Sequence, residues 1–168
     1  PLSEGAKPWD DGHGIFGMEA GVSDAENLVI RDAVCETSTP QGVWGAFKSA
    51  ILQNVTAILS HEAADFGGVQ SSFIRSLSAD AEVYAYDCVA NIFDNVFQIN
   101  CHKADTAGLT AAQRLALYET LFTAPDYGGV SYNAADAWTI KAGAALDTAS
   151  PKIGWRAGEP FDYATETW

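Results

Sequence analysis

The chain has 168 residues, of which 48% are hydrophobic and 18% are charged, a composition typical of one globular domain and not of a disordered segment. Its 22 acidic residues outnumber the 9 basic ones and give a formal net charge of −13. This charge argues against a nucleic-acid partner or an anionic lipid surface, because both are bound through basic patches. No apolar run reaches the roughly 18 residues of a membrane-spanning helix, so we expect no membrane span.

The N-terminal part of the sequence predicts an irregular arm followed by a helix. Residues 1–22 contain five glycines and two prolines, which favour loops over regular elements. Ser23, with Glu26 three positions later, matches a capping box and predicts a helix that ends near Glu36, before Pro40.

Two longer helices are predicted from hydrophobic periodicity. When each residue of the segment 41–66 is rotated by about 100°, apolar and polar side chains separate onto opposite faces. The apolar face contains Trp44, Phe47, Ile51, Val55 and Ile58. The same procedure predicts a helix over residues 78–99, with a stripe that contains Ala85, Val89, Ile92, Phe93 and Val96.

The C-terminal half predicts two further helices. Thr110 and Gln113 form a capping box pattern before a helix with an apolar face at Leu115, Tyr118, Leu121 and Phe122. Asn133 and Asp136 indicate the start of a last helix that extends through Leu146. Residues 151–168 predict an irregular tail, and we find neither a repeat of solenoid period nor strand alternation. The expected fold is therefore an all-α, single-domain bundle of about five helices over residues 23–150, with irregular arms at 1–22 and 151–168.

The segment AILSHEAADFGG (57–68) contains the first candidate site, because it brings His61, Glu62 and Asp65 within about one helical turn. On the helical wheel Glu62 falls in the middle of the apolar face, where a carboxylate is costly unless it is paired, protonated or metal-bound. Glu82 occupies the corresponding position on the next predicted helix. Glu62 and Glu82 are therefore candidate catalytic residues, and His61, Glu62, Asp65 and Glu82 are candidate ligands of a divalent metal.

Two metal motifs are similar to this segment, but neither of them matches it completely. The string His-Glu-x-x-Asp differs from the zinc-protease helix His-Glu-x-x-His at Asp65, and it needs a third ligand, for which His102, His13 or an aspartate are candidates. Di-metal bundles carry Glu-x-x-His on two helices, which this sequence lacks. Helix-end capping and pairing with Arg31 or Arg75 are the alternative explanations for these carboxylates.

Other residues offer weaker sites. Asp10, Asp11 and His13 lie in a turn-rich segment that lacks the spacing of a calcium loop. Cys101 and His102 are adjacent, and adjacent side chains seldom face each other. The three cysteines, Cys35, Cys88 and Cys101, permit one disulfide and one thiol, or three buried thiols.

The 5 Trp, 6 Tyr and 8 Phe are more aromatic residues than the core of a small helical bundle needs, so they favour an apolar pocket or a contact surface. Our first interpretation is a soluble acidic protein that binds an apolar small molecule, a cofactor or a partner subunit. Homo-oligomerisation and a cytoplasmic location stay open, although the composition favours a secreted, extracytoplasmic protein. The alternative is a metal-dependent hydrolase or oxidoreductase with its carboxylate and histidine site at the end of the second helix.

Overall fold

The described part of the chain consists mainly of parallel β-strands. The computed structural model describes residues 26–37, 42–45, 47–59, 72–125 and 135–158. The strands in these ranges are β1 (Leu28–Thr37), β2 (Gly42–Gly45), β3 (Ser49–Leu59), β4 (Phe73–Ser76), β5 (Glu82–Tyr86), β6 (Val89–Ala90), β7 (Ile92–Asp94), β8 (Phe97–Ile99) and β9 (His102–Lys103). They are followed by helix α1 (Ala111–Leu121), a 3-10 turn (Ala135–Trp138) and the short helix α2 (Ala145–Thr148).

The strands stack in three parallel columns that the chain visits in turn. The first column contains the first halves of β1 and β3, then β5 and β8. The second column contains the second halves of β1 and β3, then β6 and β9. The third column contains β2, β4 and β7. The first two columns form one curled sheet and the third a separate sheet, which together make a parallel β-helix whose fourth coil contributes strands to two columns.

A single left-handed residue turns the chain from the first column into the second. Asp32, Asn54, Asp87 and Asn100 occupy this bend in successive coils, with φ between 47° and 55°. Short side chains that can hydrogen bond locally tolerate this conformation better than other non-glycine residues. Because the bend takes one residue, it shifts the in-and-out alternation of the strand by one position.

The interior between the columns holds the larger apolar core. Neighbouring coils are only about 4.8 Å apart, so most of the inward side chains are small or β-branched and stack on one another. The fully buried members include Cys35, Val43, Leu52, Val55, Ala57, Val83, Ala85, Cys88 and Ala90.

A second core covers the outer side of the second column, which we call the second face. Val34, Ile58 and Val89 point outward from the strands and are buried against the C-terminal part of the chain. The rings on the C-terminal side are Tyr118, Phe122 and Trp138, which pack edge to face with centroids 5.2–6.0 Å apart.

The C-terminal part of the chain that packs on the second face, which we call the cover, is hydrogen bonded to the strands through buried polar side chains. The Trp138 Nε1–H donates to Oε2 of the buried Glu36 at 2.8 Å. Asn91 is fully buried, accepts from the N–H groups of Leu59 and Ser72, and donates to the Ala104 carbonyl and the Tyr118 hydroxyl. These bonds join three coils to α1.

The prediction of an all-α bundle is wrong. Over the described residues, β1 lies where the first helix was predicted, β2 and β3 lie within the predicted helix 41–66, and strands from β5 to β8 lie in place of the predicted helix 78–99. In β3 the inward residues are spaced by two positions, except at the bend, where Val55 follows Leu52 by three. Apolar residues also point outward from the same strands. Taken together, the inward and outward apolar residues have spacings that resemble those of one face of a helix.

The predicted capping box is confirmed by α1. Thr110 accepts from the Gln113 N–H, Gln113 reaches back to the Thr110 N–H, and Tyr118 and Leu121 are buried. The last predicted helix is wrong in extent, because the 3-10 turn and α2 replace it. The predicted arm 1–22 and most of the predicted tail lie outside the described residues. No helix in the described ranges is long and apolar enough to cross a membrane.

Candidate binding face

The outer side of the first column, which we call the first face, carries a row of exposed apolar side chains. Val29, Ile51, Tyr84 and Phe97 are register partners in four successive coils, and we call them the outer row. Their exposed fractions are 51%, 39%, 36% and 55%. With a spacing of about 4.8 Å per coil, the row runs for roughly 14 Å along the β-helix.

The aromatic members of the first face stack on one another. The rings of Tyr84 and Phe97 have centroids 5.1 Å apart and planes inclined by 22°. Tyr86, two positions further along β5, stacks on Tyr84 at 6.3 Å with planes inclined by 23°. The stacked rings therefore cover part of each other's faces.

Polar side chains border the outer row at the strand starts, and a row of mixed polar and apolar side chains borders it on the other side. Along the strands, the adjacent outward row consists of Arg31, Gln53, Tyr86 and Ile99. At the strand starts, Ser49 and the exposed Glu82 are register partners, and Lys48 pairs with Glu26 at 2.9 Å. An apolar centre with a polar rim is the usual anatomy of a protein-binding surface.

The bend residues form a polar edge beside this face, and two of them, Asn54 and Asp87, are buried. Asp87 accepts from the Asn100 side-chain N–H at 2.7 Å, and Asn54 donates to Asp32 at 3.3 Å. Burial raises the pKa of Asp87, although hydrogen bonds from Asn100 and Gln53 offset part of this effect. The carboxyl of Asp87 is therefore a cost to the folded state when it is ionised.

The predicted metal and catalytic residues are not brought together within the described residues. His61, Glu62 and Asp65 lie outside them, as do Asp10, Asp11 and His13. Glu82 begins β5 and is exposed on the first face. No group of three His, Cys, Asp or Glu side chains suited to a metal ion occurs in the part of the chain that the structure describes. The metal site at Glu62 and its neighbours stays a prediction.

Cys101 and His102 point to opposite sides of their strand. Cys101 packs against the interior core, whereas His102 is the register partner of Val89, which faces outward under the C-terminal cover. Burial lowers the pKa of His102, so its imidazole is neutral at neutral pH. Because the two side chains lie on opposite sides of the strand, they do not form a nucleophile and base. This agrees with the expectation that adjacent side chains seldom face each other.

The outer row was missed by sequence reasoning. The sequence pattern that could have predicted it is the alternation in EVYAY (82–86) and FQI (97–99). In these segments aromatic and β-branched residues, which are typical of strands, occur at every second or neighbouring position. Comparison with protein-family models, with curated proteins and with solved structures found no match.

Proposed function

We propose that this chain is a binding protein and that the first face receives a partner protein. The observation that carries the proposal is the outer row, in which four apolar side chains in register are 36–55% exposed. Single exposed apolar residues are common, but a contiguous row of them marks an interaction site. Covering the row would remove apolar area from water, at about 25 cal/mol per Å².

The shape of the surface favours a macromolecule over a small ligand. Small molecules bind in concave sites that bury most of their surface. The outer row instead projects from the outside of a sheet, with neighbouring residues in register and no side chain of the row facing inward. A partner with its own extended surface can cover the full length of the row.

The charge and the rings favour a different protein over nucleic acid or a second copy. A net charge of −13 repels phosphates and also repels an identical chain. Tyrosine is enriched among the residues that contribute most to protein interfaces, and the Tyr84 hydroxyl can donate a hydrogen bond there. We therefore expect a neutral or basic partner whose contact surface is apolar at its centre.

The test is to recover the tagged chain from its native cells and to measure complex mass and stoichiometry. We expect a stoichiometric protein complex with the unmodified chain and a loss of at least about tenfold in affinity when Tyr84→Ser and Phe97→Ser are combined. Leu77→Ser is the matched control, because Leu77 is also 36% exposed but lies outside the first face. This control should leave the complex intact.

Three outcomes contradict the proposal. The first is a complex that survives the double substitution, since the partner would then contact another surface. The second is a homodimer that Tyr84→Ser dissolves, because the occupant would then be a second copy. The third is a retained small molecule that is lost with the same substitution.

A further inference from the structure

Two of the three cysteines lie one above the other inside the end of the β-helix. Cys88 follows the bend residue Asp87 in the third coil, and Cys101 follows the bend residue Asn100 in the fourth. The residues after them are register partners, and the His102 N–H donates to the Cys88 carbonyl at 2.8 Å. Adjacent parallel strands are about 4.8 Å apart, which lies within the Cα separation of about 4.4–6.8 Å that disulfides span.

The two thiols are free, and both side chains pack in the same interior core. Their nearest hydrogen-bond acceptors are backbone carbonyls, that of Tyr86 for Cys88 and that of Ala85 for Cys101, each at 3.1 Å. The interaction with Cys88 lowers the pKa of the half-buried Cys101 thiol, whereas burial raises the pKa of the fully buried Cys88 thiol. Cys101 is therefore the accessible and more readily ionised member of the pair.

The third cysteine is too far away to join either of them. Cys35 lies in the first coil, where it pairs with Ala57 of the second coil, and Ala57 pairs with Ala90 of the third. Two strand spacings, about 9.6 Å, therefore separate Cys35 from the coil of Cys88. This exceeds the roughly 7 Å beyond which two cysteines cannot be bridged.

We propose that Cys88 and Cys101 form an intramolecular disulfide by exchange with a small-molecule disulfide such as oxidised glutathione. The Cys101 thiolate attacks one sulfur of the small disulfide, forms a mixed disulfide and releases one small thiolate. The Cys88 thiol then loses its proton and attacks the Cys101 sulfur, and the second small thiolate leaves and takes up the proton. The cysteine pair is oxidised by two electrons, and the small disulfide is reduced to two thiols.

The bond would tie the last coil to the one before it. It closes a loop with the same separation as the bend residues Asp87 and Asn100, which are 13 positions apart. That loop includes Phe97, so the disulfide would hold the end of the outer row in register with Tyr84. Restricting the unfolded chain in this way should raise the thermal midpoint by roughly 5–10 °C.

The experiment incubates the reduced full-length chain with oxidised glutathione, alkylates the remaining thiols under denaturing conditions and measures intact and peptide masses. We expect one alkylated thiol, at Cys35, and a cross-linked peptide pair that contains Cys88 and Cys101. Three alkylated thiols, or a cross-link to Cys35, would overturn the proposal.

Three variants separate the steps. Cys88→Ser should stop at a glutathione adduct on Cys101, and Cys101→Ser should leave Cys88 reduced, because Cys88 is fully buried. Cys35→Ser is the matched control and should form the disulfide as the unmodified chain does. If the first two variants do not fold, the peptide map of Cys35→Ser still decides: two alkylated thiols in that variant would overturn the proposal.

Discussion

The first and second faces are built by the same strands, yet one is bare and the other is covered. On the second face the outward residues Val34, Ile58 and Val89 are 0–3% exposed beneath α1 and the segments after it. On the first face the outer row is 36–55% exposed. Apolar residues face outward in both places, so outward hydrophobicity alone does not distinguish a packing surface from a binding surface.

Buried polar bonds make the distinction. The second face carries the bond from Asn91 to the Tyr118 hydroxyl and the bond from Trp138 to Glu36, and both form only when the C-terminal part of the chain is in place. At the strand starts, the border of the first face consists of exposed groups such as Glu82 and the Lys48–Glu26 pair, which water can solvate. Buried hydrogen bonds therefore hold the second face against another part of the same chain. The exposed polar groups of the first face are satisfied by water, so that face needs no such covering segment.

The largest effect is expected at Asn91. Asn91→Ala removes the side-chain partner of two N–H groups and one carbonyl, and one of the two partners of the Tyr118 hydroxyl, all in a buried site. We expect the free energy of unfolding to fall by at least about 3 kcal/mol, measured by denaturant unfolding. Gln98→Ala removes an exposed amide and should change it by less than about 0.5 kcal/mol. Similar losses for both variants would contradict the role of Asn91 as an anchor.

The next effect is expected at Gly154, under the second face. A Cβ there would lie 2.8 Å from Ile140 Cδ1 and 2.9 Å from Val89 Cγ2, and the residue has a φ of +84°. Gly158 has a similar φ of +72° but open space around it. We expect Gly158→Ala to cost about 1–2 kcal/mol for its backbone conformation, and Gly154→Ala to cost about 1–3 kcal/mol more. Equal midpoints in denaturant would show that the cover is loosely packed.

A smaller effect of the opposite sign is expected at Asp87. Its pKa is raised in the folded protein, so the carboxyl favours folding fully below its ordinary pKa of 3.8, and this contribution is lost as pH rises through the folded value. Asp87→Asn keeps an acceptor for Asn100 and removes the buried charge. We expect the variant to be more stable than the unmodified chain at neutral pH, with the gain shrinking near pH 4. A gain that does not depend on pH would contradict desolvation as its cause.

The smallest effect on stability is expected on the first face itself. Tyr84→Ser and Phe97→Ser remove half-covered rings from the outside of the sheet, so each should cost less than about 1 kcal/mol of unfolding free energy. Phe122→Ser, on the second face, should cost at least about 3 kcal/mol. If the first-face variants unfold as readily as Phe122→Ser, the outer row stabilises the fold and is not reserved for a partner.

Sequence patterns predicted α1 because its signal is local. Thr110 and Gln113 are three positions apart, and their reciprocal hydrogen bonds do not depend on the rest of the fold. The β-helix has no such local signal. Its bend residues are separated by 22 positions from Asp32 to Asn54 but by 13 from Asp87 to Asn100, so no fixed repeat exists in the sequence.

The outer row is also a product of this irregular winding. Ile51 and Tyr84 are 33 positions apart, yet they are register partners, because a long connection lies between β3 and β4. Helical periodicity instead placed Ile51 on a buried stripe with Val55, although the two side chains point to opposite sides of the sheet. The bend at Asn54, which shifts the alternation, could not be recognised without the neighbouring coils.

Side-chain oxidation of the isolated chain, followed by peptide mass analysis, tests the contrast between the faces most directly. The chain offers matched residues, with Tyr84 and Phe97 on the first face and Tyr118 and Phe122 on the second. We expect Tyr84 and Phe97 to be oxidised several times faster than their counterparts of the same type. Equal protection of all four rings would show that the first face is already covered within the isolated chain, and it would contradict its assignment as a binding surface.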